Sequence, residues 1–558
     1  MKETLLKILN RIDLPTLHKI VGVVILNAIK SVNKGEDENE LSKILILKYD
    51  TLILNEKEIR EAILNSLSKD EIKDLASQCR LKNTTGSIYT NTIKVFSRGY
   101  NEQKSKILVD YLGLEATYYF KTINDTRTEK ETITANYGEQ VNILSYLHPY
   151  QKRVKDEVMY RLIQKNEKSF FIQMPTGAGK TLTALECVVD LLRKPNPLTE
   201  TKIPQKNKYI VWIVDTNELA EQAFQSFVKL WKLRGDKNLN SFRLFKSFSP
   251  DFTNEDGGIV FTGFDKFFSI LINSNSSSFE SLKHLIANTE MLIVDEAHHS
   301  LAETYNACIN SFKNTPYIKI LGLSATPGTN DSETTAKLVE LYSSDKISIR
   351  DDDWKPIGDA IQYLQQGEYL AKLTTKILET GVSESETDEN SILIKLASNS
   401  ERNERIIEQI KLANESKEST VVFACSLDHV YAILILCRAY GIEANYIIGA
   451  VEQSERLSLI NSFKIRDYFI LINLEILSTG IDLPNIDKVI ITRPISSPNL
   501  VSQILGRALR GVKNGGNANN TIINLKDNLL NFPKQPPNNH RTTTEITLTT
   551  CEHTELCC

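Results

Sequence analysis

The residues with most chemistry to offer are a lysine and a threonine behind a glycine-rich turn, Lys180 and Thr181 in "SFFIQMPTGAGKTLTAL" (169–185). Phe170 to Met174 read as a buried strand, Pro175 to Gly179 as a tight turn, and Leu185, Val188, Val189 and Leu192 as the inner face of a helix. A phosphate cradle needs that order, because a helix N-terminus presents unpaired N–H groups to an anion. Gly177 and Gly179 would let the backbone of Thr176, Gly177, Ala178 and Gly179 approach phosphates; Lys180 would reach the β and γ phosphates, and the Thr181 hydroxyl would ligate magnesium. Met174 stands where the strict GxxxxGK[ST] pattern has its first glycine.

The complementary half of such a site is an acidic pair at the end of another buried strand. "MLIVDEAHHS" supplies it, with Asp295 to hold magnesium through its water shell and Glu296 to orient and deprotonate an attacking water.

A parallel sheet must carry these turns. Short apolar runs, "SFFIQM", "YIVWIV", "GIVFT", "MLIVD" and "IKILGLS", alternate with helical segments, as in a parallel sheet covered on both faces. The acidic stretch "ETGVSESETDENS" (379–391) interrupts the rhythm, which "TVVFAC", "YFILIN", "DKVIIT" and "TIINL" then resume. The fold class expected is therefore α/β, two tandem parallel-sheet domains behind a mainly helical accessory domain. The ranges are 1–140 for the helical domain, 141–345 for the first α/β domain, 346–390 for a linker, 391–533 for the second α/β domain and 534–558 for a flexible polar tail. In the helical part Leu5, Ile8, Leu9 and Ile12 fall on one face, and "LSKDEI" reads as a capping box of Ser68 and Glu71 with Leu67 stapled to Ile72.

Bulk properties agree with a multidomain globular chain: 558 residues exceed one ordinary core, and 41% hydrophobic with 24% charged residues exclude a disordered chain. The formal charge of -4 supplies no global basic field, so nucleic acid would have to be held by local donors. The apolar run Ile20–Ile29 is too short to span a bilayer and no export signal precedes it, so a cytoplasmic protein with no membrane partner is expected. The scattered cysteines suit reduced thiols.

From about Tyr146 to Leu525 the chain resembles superfamily-two helicases of the DEAD/DEAH type, with motifs in the family's order. "LHPYQ" looks like the adenine-side motif and implies Gln151 as the base-reading residue; "PTGAGKT" and "DEAHH" look like the two ATPase motifs, and the first glycine is often absent in this family. The resemblance implies His298 in coupling and, in "LSATPG", Ser324 and Thr326 likewise. In "LSTGIDLP" it implies Thr479 at nucleic acid with Gly480 and Asp482 at the nucleotide, and in "QILGRALR" Gln503 in coupling with Arg507 and Arg510 as catalytic arginines. Arginines inserted from a second domain meet the γ-phosphate's developing charge and make hydrolysis depend on closure.

"VWIVDTNELAEQ" is similar to the DRxxLxxQ form of type I and type III restriction motors, with Asp215, Leu219 and Gln222 in place and Thr216 where the arginine stands. Thr216, and Thr262 in "IVFTGF", are expected to donate to backbone phosphates. The resemblance implies ATP and Mg2+ as cofactors and a nucleic-acid-dependent ATPase acting on DNA in preference to RNA. It further implies a protein effector such as a nuclease, in bacterial restriction, antiviral defence or repair. An RNA-dependent ATPase, and an ATP-switched sensor or scaffold that recruits an effector, stay open beside it, as does the oligomeric state. Within the chain, "EIK" at Glu71 is explained by the capping box and not by a nuclease, and Cys551, His553, Cys557 and Cys558 fit no usual zinc spacing.

Overall fold

The structure is a computed structural model that describes residues 2–32, 35–78, 88–98, 100–120, 127–135, 147–165, 167–193, 209–297, 300–315, 318–325, 332–342, 346–384, 388–449, 451, 453–474, 486–494 and 510–529. Eight α-helices lie between Lys2 and Tyr111 among these residues, followed by two parallel sheets. Ser68 and Glu71 form the expected reciprocal cap: Ser68 N–H donates to Glu71 Oε2 at 2.8 Å and Glu71 N–H to Ser68 Oγ at 3.2 Å. Leu67 and Ile72 are both buried beside it.

The first sheet contains β1 (Lys130–Ile133), β2 (Ser169–Gln173), β3 (Tyr209–Val214), β4 (Leu239–Leu244), β5 (Gly258–Gly263), β6 (Thr289–Asp295), β7 (Lys319–Ser324) and β8 (Lys346–Ile347). Their order is β1-β4-β5-β3-β6-β7-β2-β8, parallel throughout except for β1 against β4. β3 is buried along its whole length, and its residues alternate between two cores, Ile210, Trp212 and Val214 on one face, Val211 and Ile213 on the other. A strand covered on both sides has to be apolar at every position, which is why "YIVWIV" shows no alternation.

The second sheet contains β9 (Lys372–Glu384), β10 (Thr420–Phe423), β11 (Ala444–Ile447), β12 (Ile470–Asn473), β13 (Lys488–Ile491) and β14 (Asn519–Leu529), in the all-parallel order β11-β12-β10-β13-β14-β9. Chain and sheet thus form two RecA-like α/β domains with a helical N-terminal region.

Two strands lie outside the ranges drawn from sequence. β1 falls within 1–140 yet pairs with the first sheet; with Ile133 its one apolar residue, it carries too little pattern to be seen alone. β9 falls within the expected linker 346–390 yet pairs with β14 from Lys372 to Glu384. As an edge strand it exposes most of its residues, so "KLTTKILETGVSE" is polar where a central strand would be apolar.

The helical region docks on the second domain. Its residues share one continuous core with Ile470, Ile472 and Ile490 of the second sheet and with Val430, Ile433 and Leu434 of the helix Leu427–Ala439. Helix Val23–Ser31 lies against the helices Leu427–Ala439 and Glu389–Ser398. At the margin Lys48 Nζ meets Asp428 Oδ1 at 2.6 Å, Tyr431 OH donates to Lys48 O at 2.7 Å, and Asn27 Nδ2 donates to Ser398 O at 3.0 Å.

Inside that domain Arg402 Nε and Nη2 reach Asp527 Oδ1 and Oδ2, each at 3.0 Å, tying helix Ser400–Glu415 to β14. Nearby His429 accepts from Cys425 N–H at Nδ1 (3.1 Å), and its Nε2 faces Asn403 Oδ1 at 3.0 Å, so Nε2 is the protonated ring nitrogen. Burial, with the Arg402 guanidinium adding repulsion, pushes the imidazole from 6.5 down to about 3. The folded ring stays neutral where the unfolded one takes up a proton, so stability is level above pH 6.5 and falls from there toward pH 3. We expect urea midpoints to drop across that window and the drop to shrink in His429→Gln; an unchanged acid limb in the variant would refute this origin.

Candidate active site

β6, β7 and β2 are neighbours, so their carboxyl ends open onto one edge of the sheet, where ligands of such folds bind. β2 ends on Gln173, and Met174 N–H donates to Ser324 O at 3.2 Å, clamping the turn to β7. Met174 is fully buried in the domain core, so this position serves as an apolar anchor and needs no glycine. Gly177 and Gly179 adopt left-handed φ angles of 82° and 81°, and a Cβ on Gly179 would lie 2.2 Å from Gln151 Nε2. Helix Lys180–Leu192 starts directly behind. Its buried Glu186 joins Lys155 at 3.3 Å, and Asp190 takes Lys155 at 2.6 Å and Arg234 at 3.0 Å, which binds this helix to its two neighbours.

Lys180 Nζ lies 2.9 Å from Glu296 Oε1 and 3.3 Å from Asp295 Oδ1, and Thr181 Oγ1 donates to Asp295 Oδ2 at 3.4 Å. Glu296 holds a left-handed φ of 51°, and its N–H donates back to Asp295 Oδ1 at 3.0 Å. Such backbone is uncommon for a residue with a side chain, and here both carboxylates face Lys180. Burial would drive the Lys180 ammonium down, but Asp295 and Glu296 reverse the sign and hold it above the ordinary lysine value. Burial raises the Asp295 carboxyl, Glu296 pushes the same way and Lys180 opposes both.

These groups are what a nucleoside triphosphate site requires: a cation that can exchange carboxylates for phosphates, and two hard oxygen donors, Thr181 and Asp295. Magnesium takes few protein oxygens beside phosphate and water, so this pair fits it. Gln151 is 3% exposed; its Oε1 accepts from His148 N–H and its Nε2 donates to Ala178 O, both at 2.9 Å. Tyr150 OH donates to the same carbonyl at 3.0 Å, and burial raises its phenol.

Gln151, Thr176, Gly177, Ala178, Gly179, Lys180, Thr181, Asp295, Glu296 and Ser324 thus share one end of the sheet. His298, Thr326, Thr479, Gly480, Asp482, Gln503 and Arg507 lie outside the described residues. Arg510 is bridged to Leu370 at the start of the turn 510–516. Thr262 corrects an expectation: it is fully buried and its hydroxyl donates to Leu244 O at 2.7 Å, so it serves the β4–β5 pair and does not face a phosphate. Thr216 caps helix Asn217–Arg234 by accepting from Leu219 N–H at 3.3 Å and is partly exposed. Sequence reasoning missed Tyr305, which donates to Asp215 and stacks on Phe264 at 3.8 Å. No spacing rule joins three residues from separate elements of the sheet's edge.

Fold and site together define a two-domain P-loop ATPase architecture. Residues 145–329 match the family described as type III restriction enzyme, res subunit, and residues 401–512 the helicase conserved C-terminal domain. "Putative ATP-dependent helicase IRC3" of Saccharomyces cerevisiae is 26% identical over 65% of this chain and 49% of its own length. "Putative helicase 22" of Sulfolobus islandicus filamentous virus is 24% identical over 82% of this chain and 85% of its own. The type I restriction enzyme EcoKI endonuclease subunit of Escherichia coli is 24% identical over 63% and 32%. The chain therefore spans about half of the yeast relative and a third of the bacterial one. It belongs to the superfamily-two helicases, a family of nucleic-acid-dependent ATPases.

Gly179→Ala should lower unfolding free energy by about 1–3 kcal/mol, from the left-handed φ and the clash with Gln151. Adding Gln151→Ala should recover the part due to the clash. Urea titration of both variants measures this, and equal stability of Gly179→Ala and wild type would contradict it.

Proposed function

We propose that the chain is an ATP- and magnesium-dependent motor that moves on DNA. The observation that carries this reading is Lys180 held between Asp295 and Glu296 within reach of Thr181, at the mouth of a turn with free backbone curvature. When phosphates enter, the Lys180 ammonium exchanges its carboxylate partners for phosphate oxygens. Asp295 and Thr181 would hold magnesium, which supplies positive charge at the phosphate oxygens. Glu296, freed from its ion pair, orients and deprotonates the attacking water. Arg510, and Arg507 by the family resemblance, bring cationic charge from the second domain, so turnover is tied to the relative position of the two domains.

The match to a restriction-enzyme family and to the EcoKI subunit supports DNA as the track and a nuclease as partner in restriction, antiviral defence or repair. Thr216, partly exposed and accepting from Leu219 N–H, could donate its hydroxyl proton to a backbone phosphate.

ATP turnover measured with no nucleic acid, single-stranded DNA, duplex DNA and RNA should rise chiefly with DNA. Stimulation by RNA alone would replace DNA by RNA in this reading, and turnover indifferent to all of them would favour a switched scaffold. Glu296→Gln should reduce turnover by about 10²–10⁴-fold, with ATP still bound. Lys180→Ala should abolish turnover and weaken nucleotide binding while the circular dichroism spectrum is kept. Wild-type rates in either variant would remove the site assignment.

A further inference from the structure

A second set of contacts joins the phosphate turn to the segment that carries Arg510. Gln151 Nε2 donates to Ala178 O and Gln151 Oε1 accepts from His148 N–H, each at 2.9 Å. His148 Nε2 lies 2.7 Å from Asn514 Oδ1, and Asn514 Nδ2 donates to Tyr369 O at 2.7 Å. Since an amide oxygen only accepts, His148 Nε2 carries the proton. The relay therefore runs without a break from the phosphate turn, through the adenine-side turn, to residues 510–516, which lead into β14.

The receiving turn is built tightly. Gly511 N–H donates to Tyr369 O and Lys513 N–H to Glu368 O, both at 3.1 Å, and Arg510 pairs with Leu370 as an isolated bridge. A Cβ on Gly511 would stand 2.3 Å from Glu368 O, and one on Gly516 2.0 Å from Arg510 O. The Tyr369 ring packs 4.7 Å from His148 and 4.9 Å from Tyr150, with Lys513 Nζ 4.6 Å from its centre. Leu370 is buried in the first domain's core, and β9 of the second sheet starts two residues later at Lys372. Residues 368–372 are thus the crossing point between the domains, and Arg510 is tethered there by backbone.

We propose that His148 and Asn514 are positioning residues that latch this crossing point to the adenine-side turn and thereby set where Arg510 stands. The proposal rests on the ATPase reading for its catalytic consequence and on geometry for the latch itself. A base that engages the Gln151 amide through its remaining N–H and lone pair joins the same relay, because Oε1 also accepts from His148 N–H and Nε2 also donates to Ala178 O. Occupancy at the base end is then felt at Asn514, and the second domain senses the nucleotide at two ends, phosphate and base.

The test uses the full chain. His148→Ala and Asn514→Ala should each lower kcat about five- to tenfold, the worth of one positioned hydrogen bond, with KM for ATP within about twofold. The double variant should be no slower than the worse single one, and His148→Gln, whose amide N–H can stand in for Nε2–H, should restore most of the loss. Independent losses that multiply, or KM rising with kcat unchanged, would overturn the latch. A second readout needs no turnover: the distance between fluorophores placed at exposed Ile272 in the first domain and exposed Ile465 in the second. Without nucleotide its distribution should broaden in Asn514→Ala and not in Glu296→Gln. Wild-type turnover in Glu296→Gln together with broadening in Asn514→Ala would refute the ATPase reading and keep the latch; an unchanged distribution in Asn514→Ala would refute the latch.

Discussion

One ammonium group organises the first domain's working edge. Lys180 sits between two carboxylates that arrive from β6, while its own backbone comes from β2, and the strand between them, β7, fixes their separation. Neither carboxylate tolerates burial without a cation, and the ammonium tolerates burial only beside them. The charges are thus held as pairs, each group compensating the burial of the others. Left-handed backbone at Gly177, Gly179 and Glu296 is what brings the groups together, so conformational cost is concentrated at the reacting end of the sheet.

The strands beneath this edge explain why the site was readable. The candidate site residues stand directly after runs such as "SFFIQM" and "MLIVD", whose continuous apolarity follows from burial on both faces of a parallel sheet. Each motif therefore carries its own structural context within a dozen residues. β1, β9 and the turn 510–516 lack this property: each is defined by a partner far away in the chain, Phe242 for Lys130, Asn519 for Lys372, Tyr369 for Gly511. A polar strand at a sheet edge and a glycine turn beside a carbonyl leave no periodic trace.

Thr262 illustrates the same limit from the other side. A threonine at a strand end has the right chemistry for a phosphate, but Leu244 O on the adjacent strand claims its hydroxyl. Thr216, two residues beyond β3, faces a helix N-terminus instead and keeps part of its surface. Which of two such residues stays free depends on neighbouring strands, information that one segment does not hold. The docking of the helical region on the second domain was equally hidden, because an amphipathic helix reveals that it has a buried face and not what covers it.

That docking changes what the smallest independently folding unit would be. In chain order the helical region precedes the first domain and looks removable, yet its core is continuous with that of the second sheet. Cutting the chain before β1 would strip Val430, Ile433 and Leu434 of their cover and leave an apolar face on the far domain. The modular unit is thus discontinuous, with one half at the start of the chain and the other beyond the phosphate site, and the first domain is the segment inserted between them.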